Sequence, residues 1–179
     1  MPWRLPQNTD RPTEPLTSEG VQRIHDGAMR ILEDIGIEFL NEESLVIFKQ
    51  AGCRVEGTNV RMGRDFVMEM LAKAPSSFTL TPRNLDRTIE VGGKTILFGN
   101  VSSPPNFWSL DTGKLPGTRE HCRDLMKLTQ YFNCIHFAGG YPVEPVDIHA
   151  SVRHLDVLYD KLTLCDKVMH AYSLGKERV

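Results

Sequence analysis

The sequence Ile135-His-Phe-Ala138 is a short apolar run of the kind that forms a buried strand. Similar runs flank it at Thr95-Ile-Leu-Phe98 and Lys167-Val-Met-His170, and helical stretches at about 118–132 and 147–165 lie between the runs. Strands that alternate with helices in this way predict a parallel sheet with helices packed on its faces. Because three strands do not complete such a sheet, we expect this chain to be the opening part of a larger α/β fold.

The two helices between these strands have one-sided apolar patterns. Side chains that recur at helical spacing are expected to face the sheet: Cys122, Leu125, Met126, Thr129 and Phe132 in the first helix, and Ile148, Val152, Leu155, Leu158, Tyr159 and Leu162 in the second. Their polar complements are expected to face away: Arg119, Glu120, Arg123, Asp124, Lys127, Arg153, Asp156 and Asp160. This pattern predicts outer helices that cover a sheet.

The first half of the chain has a different organisation. Residues 1–16 contain four prolines and predict an arm that becomes ordered by lying on another surface. Residues 17–92 predict a small α+β extension. Its expected elements are helices at 18–35, 42–51 and 64–73, a hairpin around Gly57, and strands at 78–81 and 88–91. Residues 93–179 then form the first βα units, with a further strand at 107–110.

Composition limits the classes of function. The formal net charge is -2, and acidic and basic residues are mixed along the chain, so the sequence has no basic patch for nucleic acid. No apolar run approaches the roughly 20 residues that span a bilayer, and the N-terminus does not resemble a signal peptide. We therefore expect a cytoplasmic protein. The four cysteines are far apart and form no close pair for zinc, which favours buried reduced thiols.

Candidate binding residues follow from the strand order. Parallel α/β sheets bind ligands at the carboxyl ends of their strands. This rule selects Asn100 after the first strand, Tyr141 after the second, and His170 and Tyr172 at the end of the third. Two tyrosines at strand ends can face a common cavity, although each ring can also simply pack under a loop. Glycines 99, 139 and 140 either admit a ligand close to the backbone or only make the turns.

Other patterns for catalysis are weak. His149 and His154 lie five residues apart on a helix, so they point about 140° apart and do not readily share a metal ion. The chain has no glycine-rich phosphate loop and no Gly-x-Ser-x-Gly elbow. The residues alone therefore predict the opening part of an α/β enzyme, most simply a barrel.

Several motifs resemble one known family. The run Ala28-Met-Arg-Ile-Leu-Glu-Asp-Ile-Gly-Ile37 is similar to the first helix of the trimethylamine methyltransferase family. Ala74-Pro-Ser-Ser-Phe-Thr-Leu80 with Arg83-Asn84, and then Leu97-Phe-Gly-Asn100, Pro105-Asn106 and Leu110-Asp-Thr-Gly113, resemble later family motifs in the same order. The resemblance covers about residues 16–179.

The resemblance implies a (β/α)8 TIM-type barrel with an N-terminal α+β extension, on a chain more than twice this length. This chain would hold the extension and the first barrel strands, and we expect it to be inactive alone. The implied activity moves a methyl group from trimethylamine, or from a quaternary amine such as glycine betaine, to the cobalt of a partner corrinoid protein. The implied cofactor is thus the partner's corrinoid, and no cofactor or metal is expected to be bound directly. Any pyrrolysine position would lie beyond Val179.

The implied substrate gives the residues selected at the strand ends a role in binding. A quaternary ammonium has no hydrogen-bond donor, so aromatic faces hold it best. We expect Tyr141 and Tyr172 to line the mouth of the site, with Asn100 and His170 as polar neighbours.

The alternative function is that of a non-catalytic binding module derived from the same family. Because strand 167–170 would leave an unpaired apolar edge, we also expect that the isolated chain self-associates, for example as a homo-oligomer, or is marginally stable.

Overall fold

A computed structural model describes residues 2–172 and Gly175 of this chain. The mixed α/β class predicted from the sequence is confirmed. The residues form two compact units, one of Asp10–Pro75 and the other of Met1–Thr9 together with Ser76–Val179. The predicted division into an arm, an extension and barrel units stays a prediction. The sequence also predicts the start of a further loop and helix at residues 173–178, which lie outside the described residues apart from Gly175.

The unit of residues 10–75 contains three helices and one antiparallel sheet. Its elements are α1 (Ser18–Arg30), a π-helical turn (Ile31–Ile35), β1 (Ile37–Glu38), α2 (Glu42–Gln50), β2 (Arg54–Glu56), β3 (Asn59–Arg61) and α3 (Arg64–Ala72). The strand order in the sheet is β1-β3-β2. The predicted helices and the hairpin around Gly57 are therefore confirmed within a few residues.

Side-chain caps and one glycine fix the ends of the first helices. The hydroxyl of Thr17 accepts from the backbone N–H of Gly20 at 3.1 Å, and the Asn41 carboxamide accepts from Ser44 N–H at 2.9 Å. Gly36 ends the π-helical turn with φ 82°, and a Cβ there would lie 2.7 Å from the carbonyl oxygen of Val60. Only glycine fits this combination of backbone angle and close approach.

The second unit contains three two-stranded sheets and two helices. Its elements are β4 (Ser77–Leu80), a 3₁₀ turn (Leu85–Arg87), β5 (Ile89–Gly92), β6 (Asn106–Ser109), β7 (Gly113–Pro116), α4 (Arg119–Tyr131), β8 (Phe137–Ala138), α5 (Ala150–Leu164) and β9 (Val168–Met169). The pairs β4–β5 and β6–β7 are antiparallel, whereas β8 and β9 are parallel. No closed barrel is formed among residues 2–172.

The prediction of a regular strand at residues 95–98 is wrong. This segment makes only single bridge pairs, an antiparallel one from Thr95 to Gln7 and a parallel one from Gly99 to Phe137. The reason is that part of the segment pairs with the N-terminal arm, since the N–H of Ile96 donates to the carbonyl of Pro6 at 2.8 Å. The parallel order of this segment, β8 and β9 is nevertheless as expected.

Trp3 fixes the arm to this unit. Its ring lies edge-on to the buried His136 ring at 5.3 Å, and the Arg87 guanidinium lies 4.8 Å from the Trp3 ring centroid. The neighbouring residue adds a polar contact, because His136 Nε2 lies 3.0 Å from the carbonyl oxygen of Arg4. Residues 3–8 of the arm thus lie against residues 94–96, Arg87 and His136 of the same unit.

The predicted faces of the helices are right for most of α4 and wrong for α5. Cys122, Met126 and Thr129 of α4 are buried as expected, although Phe132 at its end is exposed. In α5 the predicted apolar stripe faces outward, as the 59% exposure of Leu155 shows. The inward face of α5 instead carries Asp160, which is 1% exposed.

Ion pairs explain the orientation of α5. The Asp160 carboxylate accepts from Arg119 Nε at 2.8 Å and from Arg123 Nη1 at 2.6 Å, which joins α5 to α4. Arg119 also pairs with Asp156 at 2.8 Å. The arginines predicted to face away from the core therefore face the next helix. A buried carboxylate requires such paired donors, and this requirement outweighs the apolar periodicity of α5.

No helix in the described part of the chain is long and apolar enough to cross a bilayer.

Replacing Asp160 should test the α4–α5 connection. We expect Asp160→Asn in the full-length gene product to lower the free energy of unfolding by about 3 kcal/mol, because the amide removes the buried negative charge and turns an NH2 group towards one of the two guanidinium groups. Asp156→Asn is the matched control on the same helix; its pair is about one-third exposed, so the loss should stay below about 1 kcal/mol. Urea denaturation measures both, and equal losses would contradict this account.

Candidate functional site

Three chain segments end at the same edge of the parallel sheet. In β8 and β9, Phe137 pairs with Val168 and Ala138 with Met169, while Gly99 pairs with Phe137 on the other side. The residues that follow these pairs are 100–103, 139–141 and 170–172. The four residues predicted from strand-end positions, Asn100, Tyr141, His170 and Tyr172, are therefore carried by neighbouring segments.

Asn100 connects two of these segments. Its side-chain oxygen accepts from Gly139 N–H at 2.8 Å, and its side-chain nitrogen donates to the carbonyl of Val101 at 2.8 Å. A Cβ on Gly139 would lie 2.8 Å from the Asn100 carbonyl oxygen, so the backbones are in close contact. Asn100 thus holds the strand ends together, and its contact with a substrate stays a prediction.

Tyr141 and Tyr172 form an aromatic pair. Their ring centroids lie 4.8 Å apart at an interplanar angle of 84°, which is the edge-to-face arrangement. Tyr141 is 9% exposed, and burial raises the pKa of its hydroxyl. The Tyr172 hydroxyl lies 2.6 Å from Ser102 Oγ and 2.5 Å from Ser103 Oγ. Ser103 has φ 55°, a backbone angle that residues other than glycine rarely adopt.

His170 extends this aromatic group at the surface. Its exposed ring lies 5.3 Å from the Tyr172 ring at 76°. Its backbone is part of the sheet edge, since its N–H donates to the carbonyl of Ala138 at 2.9 Å. The predicted tyrosines and histidine are therefore close in space, and their role in binding stays a prediction.

Lys161 of α5 is the residue that sequence reasoning missed. It is 2% exposed, and its Nζ donates to the carbonyls of Gly139 at 2.8 Å and His170 at 2.5 Å. The same Nζ lies 5.9 Å from the Tyr141 ring centroid. Burial lowers the pKa of this ammonium to about 8. The available signal was a charged residue next to Asp160, on a helix face that the apolar pattern assigned to solvent.

A small cavity lies beside this lysine. Its volume is about 110 Å³, and its walls include Tyr141, Tyr172, His154, Lys161, Val157 and Leu158. A cavity needs roughly 10–15 Å³ to hold one water molecule, whereas pockets that bind drug-sized ligands have volumes of about 300 Å³ or more. The cavity therefore suits one small head group. Nδ1 of His154 is buried and has no hydrogen-bond partner among the described residues.

The histidines of α5 do not form a metal site with each other. His149 lies at the N-cap, where its Nδ1 accepts from Ser151 N–H at 3.3 Å, whereas His154 lies in the cavity wall. Within residues 2–172 and Gly175, no group of three or more His, Cys, Asp or Glu side chains is placed to hold a metal ion.

The structure defines an α/β chain with an aromatic cavity at the carboxyl ends of parallel strands. A family model described as Trimethylamine methyltransferase (MTTB) matches residues 1–179. The chain therefore belongs to the trimethylamine methyltransferase family, as the sequence motifs indicated.

Relatives of known activity are similar over most of the chain. A glycine betaine methyltransferase of Desulfitobacterium hafniense (strain Y51) is 39% identical over 163 residues, which cover 91% of this chain and 34% of the relative. A proline betaine:corrinoid methyltransferase of Eubacterium limosum is 36% identical over 160 residues, covering 89% and 32%. A trimethylamine methyltransferase of Desulfitobacterium hafniense (strain DSM 10664 / DCB-2) is 29% identical over 141 residues, covering 76% and 28%. This chain spans about a third of the length of these relatives.

Adding a methyl group at Gly140 should displace Tyr172. A Cβ there would lie 1.8 Å from the Tyr172 hydroxyl oxygen and 2.0 Å from Ser102 Oγ, so Gly140→Ala cannot keep the present arrangement. We expect a lower melting temperature and a changed near-ultraviolet circular dichroism signal from the tyrosines. Gly27→Ala is the control, because a Cβ there meets nothing within 4 Å. Identical spectra for Gly140→Ala and the parent would contradict this prediction.

The buried lysine should also make stability depend on pH. Burial lowers the pKa of Lys161 from 10.5 to about 8, so between these values the unfolded state binds more protons and stability rises with pH. One group contributes at most about 1.4 kcal/mol per pH unit. Above pH 9 the rise levels off, because burial raises the pKa of Cys122 from 9.0 to about 11, so the unfolded thiol ionises first and offsets the contribution of Lys161.

The measurement is the denaturation midpoint of the full-length gene product between pH 7 and pH 10. Lys161→Met should lose part of the rise between pH 8 and pH 9. Some should remain, because burial also lowers the pKa of Lys167. If the stability of the parent protein does not rise between pH 8 and pH 9, the lowered pKa of Lys161 is contradicted.

Proposed function

We propose that this chain belongs to a methyltransferase that moves a methyl group from a methylated amine to the cobalt of a corrinoid carried by a partner protein. The amine is trimethylamine or a quaternary amine such as glycine betaine. We also propose that the parallel segments of the second unit begin a (β/α)8 barrel. Support comes from the family and from relatives named for glycine betaine and proline betaine, one of them also for corrinoid.

The aromatic pair at the strand ends is the observation that carries this proposal. Tyr141 and Tyr172 lie edge-to-face and both line the cavity. Ring faces attract a quaternary ammonium by about 0.5–1 kcal/mol when exposed, and by about 2 kcal/mol or more when desolvated. In this proposal the rings hold the amine with one methyl group presented to the incoming corrinoid.

Such a reaction requires little acid–base catalysis by the protein. The bond from nitrogen to the methyl carbon breaks and its electron pair stays on nitrogen, so a quaternary substrate leaves as a neutral tertiary amine. The bond from carbon to cobalt forms with an electron pair supplied by the partner's reduced corrinoid. The protein's contribution is therefore to position the substrate and exclude water. The cavity, with two aromatic rings and no carboxylate among the wall residues described, is consistent with that role.

Aromatic substitutions test the proposal. In the full-length gene product with its corrinoid protein, Tyr141→Ala should weaken binding of the methylated amine by up to about 30-fold, the equivalent of about 2 kcal/mol. Tyr141→Phe should keep most of the affinity, since the ring remains. Tyr159→Ala, at a 60% exposed position on α5, is the matched control and should change nothing.

The assay follows methylation of the corrinoid by its absorbance. Methyl transfer that is lost with Tyr141→Ala and retained with Tyr141→Phe supports the aromatic site. Unchanged transfer in Tyr141→Ala would remove this residue from the site. No transfer from any methylated amine by the parent protein would favour the alternative of a non-catalytic binding module.

A further inference from the structure

We propose that Lys161 determines which charge type of substrate this cavity accepts, favouring zwitterionic betaines over amines that carry a positive charge alone. The inference rests on the proposed function and narrows its substrate class. In this arrangement the aromatic rings contact the quaternary ammonium, while the substrate carboxylate lies towards the Lys161 ammonium.

The first argument is that the charge of Lys161 is uncompensated. Both of its hydrogen-bond partners are neutral backbone carbonyls, those of Gly139 and His170. No carboxylate among the described residues lies within ion-pair distance of its Nζ. The neighbouring carboxylates are engaged elsewhere, since Asp160 pairs with two arginines and Glu144 pairs with Arg153 at 2.5 Å. A buried cation without a partner is costly, and a bound anion relieves that cost.

The second argument is the position of the charge. Lys161 lines the same small cavity as Tyr141 and Tyr172. A trimethylammonium group against those rings would therefore lie close to a like charge, which opposes its binding. A carboxylate on the same substrate molecule cancels this repulsion and takes the ammonium's remaining N–H, because two of its three are already donated.

The third argument is a second unsatisfied polar atom in the wall. His154 lines the cavity, and its buried Nδ1 has no partner among the described residues. Buried polar atoms without partners are uncommon in proteins, and a polar group of a bound substrate can act as the partner here. In the tautomer with a proton on Nδ1, His154 can donate to the carboxylate beside Lys161.

The parent protein provides the first test. Glycine betaine and choline share the trimethylammonium group, but choline has a hydroxymethyl group in place of the carboxylate. Isothermal titration of the full-length gene product should show glycine betaine bound at least 10-fold more tightly than choline or tetramethylammonium. Equal affinities, or absence of binding by glycine betaine, would overturn the proposal without any variant.

Variants separate the charge of Lys161 from its structural contacts. Lys161→Met should weaken glycine betaine binding by at least 10-fold and leave tetramethylammonium binding unchanged or tighter, whereas Lys161→Arg should keep the preference. Lys167→Met is the matched control. This second buried lysine also donates to carbonyls, those of Thr129, Phe132 and Ile135, and it is absent from the cavity walls described here.

The outcomes distinguish the two proposals. We expect Lys167→Met to change the affinity for glycine betaine and for tetramethylammonium by the same factor. If Lys161→Met also lowers both affinities equally, Lys161 only holds the strand ends, and this inference is overturned. If Lys161→Met does not fold, the comparison between Lys161→Arg and the parent, together with the ligand preference of the parent, decides the matter. Preference for glycine betaine without any methyl transfer would support the charge role while contradicting the proposed enzymatic function.

Discussion

Two buried lysine ammonium groups join the segments of a parallel sheet whose strands are too short to be stabilised by backbone hydrogen bonds alone. Strands β8 and β9 are two residues long, so few backbone hydrogen bonds join them. Lys167 donates to three carbonyls between residues 129 and 135, before β8, and Lys161 donates to Gly139 and His170 at the carboxyl ends. Buried carbonyls need donors, and these side chains supply them where the ladder does not. The geometry of the candidate site depends on this arrangement.

The orientation of α5 meets this requirement together with the ion pairing of Asp160. To place the Lys161 ammonium at the strand ends, the helix must turn a polar face inward, and Asp160 comes with it. Asp160 is then satisfied by Arg119 and Arg123 of α4 rather than by water. As a consequence Leu155, Leu158 and Leu162 are left on the outside. One helix therefore couples the α4 contact to the edge that carries Tyr141 and Tyr172.

Much of this fold is predictable from local signals, whereas the core of the site is not. Thr17 and Asn41 mark helix starts, and the strand-end rule selects the neighbouring tyrosines Tyr141 and Tyr172, because these features depend on short-range chemistry and on strand order. The inward face of α5 was predicted wrongly, since periodicity assumes that apolar residues are buried. Lys161 was missed for that reason. Its burial depends on carbonyls more than eight residues away in sequence, which no local pattern encodes.

The use of a lysine at position 161, where the side chain bridges two strand ends, supports a role for its charge. Donation to two carbonyls requires two N–H groups, which the neutral amide of a glutamine also has. The protein uses an ammonium instead, and the lowering of its pKa to about 8 shows that burial opposes the charged form. The positive charge is therefore a cost that the structural task alone does not require. The proposed binding of a carboxylate next to a quaternary ammonium gives that charge a use, since the substrate would supply the counter-charge that the described residues do not provide.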